Sequence, residues 1–140
     1  MKHFEEKYGI VEYDASIPCI VLTVSGFMTS EQFRFLLNKG LEHYITKKKD
    51  HDKLLWVADT RKHAVHSDED MRWVADDWNP RALAAGLRYM AFVLPENVFG
   101  DLTLKKYAQH TEKRNDDLVM EMFGDLQAAK AWCKEVVAQI

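Results

Sequence analysis

The stretch with the greatest capacity for chemistry is Leu54–Ser67, LLWVADTRKHAVHS, where an apolar run ends in Asp59, Thr60 and Arg61 and is followed by His63, His66 and Ser67. A carboxylate, a hydroxyl, a guanidinium and two imidazoles in so short a span suggest three kinds of site. Arg61 can hold a carboxylate or phosphate in two-pronged fashion, giving a small polar pocket with Asp59 and Thr60. His63 and His66, with Asp59 or Asp68, offer nitrogen and oxygen donors for a metal ion. Asp59, Arg61 and a loop histidine could share acid–base work, provided the imidazole reaches the carboxylate.

Each of these has a plainer counterpart. Asp and Thr after a strand commonly tie up loop backbone amides. A metal site needs several convergent ligands, and the sequence has neither an HExxH helix nor a Cys/His array. Ser67 stands three residues before Asp70, which is the spacing of a helix N-cap. A phosphate on Ser67 would gain from the helix N-terminus but be repelled by Asp68, Glu69 and Asp70. No Ser–His–acid order and no glycine-rich phosphate loop is present, so no catalytic residue, resident metal or cofactor is expected. Cys133 falls on a core stripe and reads as an inert thiol. Trp73 is different, because at helical spacing it points away from the stripe of Met71, Val74, Ala75 and Trp78 and lies among Glu69, Arg72, Asp76 and Asp77. An outward tryptophan rimmed by charges is an anchor for a partner or a second copy of the chain, unless its ring lies flat on its own helix or under the Asn79–Arg81 break.

The elements that must position these residues are legible from periodicity. Tyr8–Tyr13 alternates, and Cys19–Val24 is a second strand. The short connection at Asp14-Ala15-Ser16 makes the two an antiparallel hairpin. Thr29 and Gln32 form a capping box for a helix whose core face is Phe33, Leu36, Leu37, Leu41, Tyr44 and Ile45. Lys47, Lys48 and Lys49 close that helix, where cations suit the dipole. Leu54–Thr60 is almost wholly apolar, as in a strand covered on both faces. Ser67 starts the next helix. Asn79-Pro80 interrupts its pattern, a short segment follows over Arg81–Ala85, and Gly86 stops it. Tyr89–Leu94 is a second central strand, a helix begins near Asp101, and Leu118–Phe123 is an edge strand. Asp125 caps a last helix with Leu126, Ala129, Cys133, Val136, Val137 and Ile140 on one face. The order predicts an α/β fold, a mixed and mostly parallel sheet with an N-terminal antiparallel hairpin and about four helices.

With 140 residues, 47% apolar and 29% charged, the chain is expected to be a single soluble domain. A net charge of −3 exerts no general pull towards nucleic acid or anionic membrane. No segment has the roughly 20 apolar residues of a membrane helix, so no membrane insertion is expected. Two cysteines without metal spacing and the absence of a signal-like N-terminus favour the cytoplasm.

Taken together, several landmarks resemble the STAS-like family of small bacterial proteins, the anti-sigma-factor antagonists. They are Gly26-Phe27 before Thr29-Ser30, Trp56 with Ala58-Asp59-Thr60-Arg61, Asp77–Leu83 through Tyr89–Val93, and Phe123-Gly124-Asp125-Leu126 with Ala129 and Trp132. The resemblance implies a STAS-like fold and a non-enzymatic regulatory or protein-interaction module, some members binding a nucleotide or other small ligand. In phosphorylated antagonists a serine near the start of the helix after the central strand carries the switch, in an Asp-Ser-Ser-Gly-like setting. Ser67 stands in the comparable place, followed by Asp68, Glu69 and Asp70. The leading expectation is therefore a homodimeric interaction module acting through the surface around Ser67 and Trp73. The alternative is a carrier or sensor for a small apolar or acidic ligand, since the fold is similar to lipid-carrier scaffolds and aromatics make up 11% of the chain. A flat, partly apolar patch about Trp73 favours the module, an apolar-lined cavity favours the carrier, and convergent polar groups favour an enzyme.

Overall fold

A computed structural model of the chain describes residues 2–63, 67–94 and 118–140. Among the described residues six strands lie in sequence order across one sheet: β1 (Lys2–Glu6), β2 (Gly9–Asp14), β3 (Cys19–Gly26), β4 (Leu55–His63), β5 (Tyr89–Val93) and β6 (Val119–Phe123). β1 pairs with β2 and β2 with β3 in antiparallel fashion, whereas β3, β4, β5 and β6 are mutually parallel. The sheet is thus mixed, as the element order predicts, and β6 occupies an edge. The opening is a three-strand meander and not a lone hairpin. β1 escapes periodicity because KHFEE has a single large apolar residue, as suits a charged strand at a sheet edge.

Alternation along each strand divides the core in two. Ile20, Leu22, Val24, Trp56, Ala58, Met90 and Phe92 face one side. Cys19, Val21, Leu55, Val57, Ala91 and Val93 face the other. The first face is covered by α1 (Ser30–Lys48) and by a helical body built of α2 (Asp68–Trp73), a π-helical turn (Val74–Trp78) and α3 (Asn79–Ala84); the second is covered by α4 (Leu126–Gln139).

The expected capping box of α1 is present, with the Gln32 amide donating to Thr29 Oγ1 at 3.1 Å and the Thr29 amide to Gln32 Oε1 at 3.0 Å. Phe33, Leu36, Leu37, Leu41 and Tyr44 are buried as expected, but Ile45 is 45% exposed, one step round the helix from Tyr44. Asp125 caps α4 by accepting from the Ala128 amide at 2.7 Å. Ala129, Cys133 and Val136 are buried there, while the terminal Ile140 is exposed. Burial pushes the Cys133 thiol up to about 12, so it stays a protonated core group.

Asn79-Pro80 opens α3 as a restarted α-helix with proline in its first turn, as expected, but without a gap in the helical winding. The chain runs on through the π turn, in which the Asn79 amide donates to the Val74 carbonyl five residues back. The helix expected near Asp101 lies outside the described residues.

Candidate functional site

The carboxyl end of β4 is irregular where the sequence concentrates its polar groups. Thr23 pairs with Asp59 and Ser25 with Lys62, so Thr60 and Arg61 together oppose Val24. Such a bulge bends a strand and redirects its side chains. Asp59 is 4% exposed and is gripped by Arg61, with Nε at 2.9 Å from Oδ1 and Nη2 at 2.7 Å from Oδ2. Asp59 Oδ1 also accepts from the Arg61 amide at 3.3 Å. The two-pronged hold expected for a ligand is therefore spent on a neighbour two residues away. Thr60 points to the opposite face and donates its hydroxyl to the Val93 carbonyl at the end of β5. Strand alternation thus separates Asp59 and Arg61 from Thr60, and the three do not converge on one polar pocket.

His63 ends β4 opposite Gly26, and His66 lies outside the described residues. Asp68, the other oxygen donor considered for a metal, is 2.9 Å from Arg72. Among the described residues no group of three or more His, Cys, Asp or Glu side chains is placed to hold a metal ion. Ser67 is the N-cap of α2, its hydroxyl accepting from the Asp70 amide at 3.1 Å. Asp70 is 2% exposed and joins two helix starts, accepting from Ser30 Oγ at 2.8 Å and from Arg34 Nε and Nη2 at 3.4 Å each.

Trp73 fits the covered alternative better than the outward anchor, its ring half-buried against the core. The Arg34 guanidinium carbon lies 5.0 Å from the ring centre and that of Arg81 5.9 Å. Arg34 comes from the start of α1, and its bond to buried Asp70 carries it over the indole. A tryptophan enclosed by two cations in this way is part of the helix packing, not a flat apolar patch.

What the structure adds is a cavity of about 60 Å³ between the sheet and its helical cover. The strands contribute Leu22, Trp56, Ala58, Thr60 and Phe92, α1 contributes Phe33 and Leu37, and the π turn contributes both its ends, Val74 and Trp78. Thr60 supplies the polar atom of this wall, and its hydroxyl is already committed to Val93. The Trp78 indole N–H is likewise satisfied, donating to the Leu37 carbonyl at 2.9 Å. These residues read from sequence as core, because a lining residue and a packed one share the same spacing. The only hint was Ala58, small among large neighbours.

A second concavity of about 430 Å³ is open and shallow, between the ends of α1 and α3, lined by Ile45, Lys48, Lys49, Arg81, Ala84 and Ala85. Lys48 donates to the Asp52 carbonyl, and Arg81 is held by Asp77 at 2.8 Å and Asn38 at 2.9 Å. These are cations placed at helix C-termini, as the sequence suggests.

Comparison with protein-family models, with curated proteins and with solved structures returned no match for the chain. Among the described residues no helix is long and apolar enough to cross a membrane.

Proposed function

We propose that this chain is a carrier or sensor that binds a small apolar molecule between the sheet and the helical cover formed by α2, the π turn and α3. The observation that carries this reading is the apolar cavity over one face of the sheet, lined by Trp56, Ala58 and Thr60 of β4 and Met90 and Phe92 of β5. Among the described residues its wall has no uncommitted polar group to anchor an acid, which favours an apolar ligand. An apolar cavity of about 150 Å³ stays dry and accepts benzene, so at about 60 Å³ the resting cavity is a seed for ligand uptake. A larger guest enters as the cover yields. The π turn, with its wider winding and weaker backbone geometry, is where yielding costs least, and such turns recur at functional sites.

The test is a methyl-resolved NMR titration with xenon and then benzene, alongside native mass spectrometry of gently purified protein. Shifts are expected at Leu22, Val74 and Met90, with benzene affinity falling at least tenfold in Ala58→Val, which fills the cavity with two extra carbons. Absence of shifts at the lining methyls, or benzene binding unchanged in Ala58→Val, overturns the reading.

A second reading, the homodimeric STAS-like regulatory module of the cytoplasm, is supported by a different residue from the one expected. Phe27 is 77% exposed, just after Gly26 at φ +67°. It stands at the same end of the sheet as the Ser67 cap and offers an apolar contact that Trp73 does not.

A further inference from the structure

The strand that periodicity missed is fastened to the fold by a pair of histidines. His43, on α1, is 3% exposed, and among the described residues its Nε2 has no hydrogen-bond partner. The His3 ring lies flat on it, with ring centres 4.3 Å apart and planes 8° from parallel. His3 reaches this position because β1 is irregular there: Lys2 pairs with Glu12 and Phe4 with Val11, leaving His3 as the extra residue. Phe4 then meets Phe35 of α1 edge to face at 5.5 Å. Otherwise β1 is an exposed edge strand held by its pairing with β2.

We propose that the His3–His43 stack is an acid-released clasp: protonation of His43 detaches β1 from α1 and frees the outer edge of β2 (Gly9–Asp14). Stacking suits two neutral imidazoles. A proton on His43 would place a cation in a buried site, face to face with a second basic ring, where its unpaired Nε2 has no acceptor. Burial first, then His3, Lys47 and the amino terminus, disfavour that charge. Glu42, which lies 3.6 Å from His3 Nε2 and is shared with Lys39, opposes them without overcoming them. The result is a His43 held down to about 4 from an ordinary 6.5. The clasped form therefore binds fewer protons than the released form between these values. The clasp is at full strength above pH 6.5 and weakens as the pH falls towards 4. The consequence is local, since terminal edge strands open at lower free energy than central ones. Freed, β2 presents an alternating strand edge able to accept another strand.

The experiment is amide hydrogen exchange at pH 7 and pH 5, corrected for the intrinsic exchange rate. Protection of β1 amides is expected to fall on the order of tenfold, while β4 and β5 keep theirs. In His43→Phe, which keeps a stacked ring that cannot charge, the fall disappears. His3→Ala, at a strand whose loss leaves the core intact, loses β1 protection already at pH 7. Equal β1 protection at both pH values in the unaltered chain refutes the clasp. So does an undiminished fall in His43→Phe, or unchanged β1 protection in His3→Ala at pH 7.

Discussion

Gly40 sits in the interior of α1, where alanine would ordinarily be better by about 1 kcal/mol, because glycine gives up more backbone freedom on folding. The structure reverses that expectation. A Cβ at this position would lie 2.5 Å from Trp56 Cη2, 3.3 Å from Cζ3 and 3.4 Å from Cζ2. Carbon atoms rest about 3.5–4.0 Å apart, so the indole has to retreat by roughly 1 Å. Trp56 is 1% exposed and meets Trp78 edge to face at 5.0 Å, so it is not a flexible tip that can swing aside. Overpacking of this kind costs about 1–3 kcal/mol. Offset by the helix gain of about 1 kcal/mol, Gly40→Ala should destabilise by about 1 kcal/mol, towards the low end because the cavity beside Trp56 gives the ring somewhere to go. That movement would shrink the cavity, so benzene uptake should fall with stability. Urea unfolding followed by far-ultraviolet circular dichroism measures the first effect, and the methyl titration the second. A Gly40→Ala protein more stable than the parent would refute the steric argument. Lower stability with undiminished benzene uptake would refute the link between Trp56 and the cavity.

Two further outcomes follow from the same geometry. Asp59→Ala removes a buried carboxylate from a half-exposed guanidinium that water can rehydrate, so it should cost about 1–2 kcal/mol of stability and leave benzene affinity within twofold; a loss of affinity at unchanged melting temperature would show that Asp59 serves the ligand. Phe27→Ser should leave stability within about 0.5 kcal/mol, as exposed substitutions do. If the homodimer reading is right, it should shift the sedimentation profile from dimer to monomer; a dimer that survives the change excludes Phe27 as its anchor.

The sheet was legible because β2, β3, β4 and β5 declare themselves by apolar alternation or by unbroken apolar runs, and α1 and α4 by capping residues at the right spacing. β1 was not, since an edge strand with charged residues on both faces carries no periodic signal. The polar cluster at Asp59, Thr60 and Arg61 was found by sequence with a pocket and a plainer backbone-tying role both open, and the Arg61 amide bonded to Asp59 fits the plainer one. One-dimensional proximity suggested convergence, whereas alternation sends Thr60 to the cavity side and leaves Asp59 and Arg61 to satisfy each other. The environment of Trp73 depends on Arg34, 39 positions earlier in the chain, and no local pattern reports that contact. The cavity was illegible for a deeper reason. Residues that line a void and residues that fill one are the same types at the same spacing.

Pro80 connects these observations. A proline inside a helix withholds the amide that the carbonyl four residues back, here that of Asp76, would otherwise receive, and its ring presses on that carbonyl. From sequence this reads as an interruption. The chain instead widens its winding over Val74–Trp78 and pairs the Asn79 amide with Val74, which relieves the crowding without ending the helix. A widened turn, however, cannot seat its ridges in the grooves of a neighbour as a regular α-helix does. The mismatch falls where Val74 and Trp78 meet Phe33 and Leu37 of α1 above the sheet, and that is where the cavity lies. That the π turn and the cavity occur together, with Val74 and Trp78 of the turn lining it, is the physical reason to read the pair as a site and not as a flaw in packing.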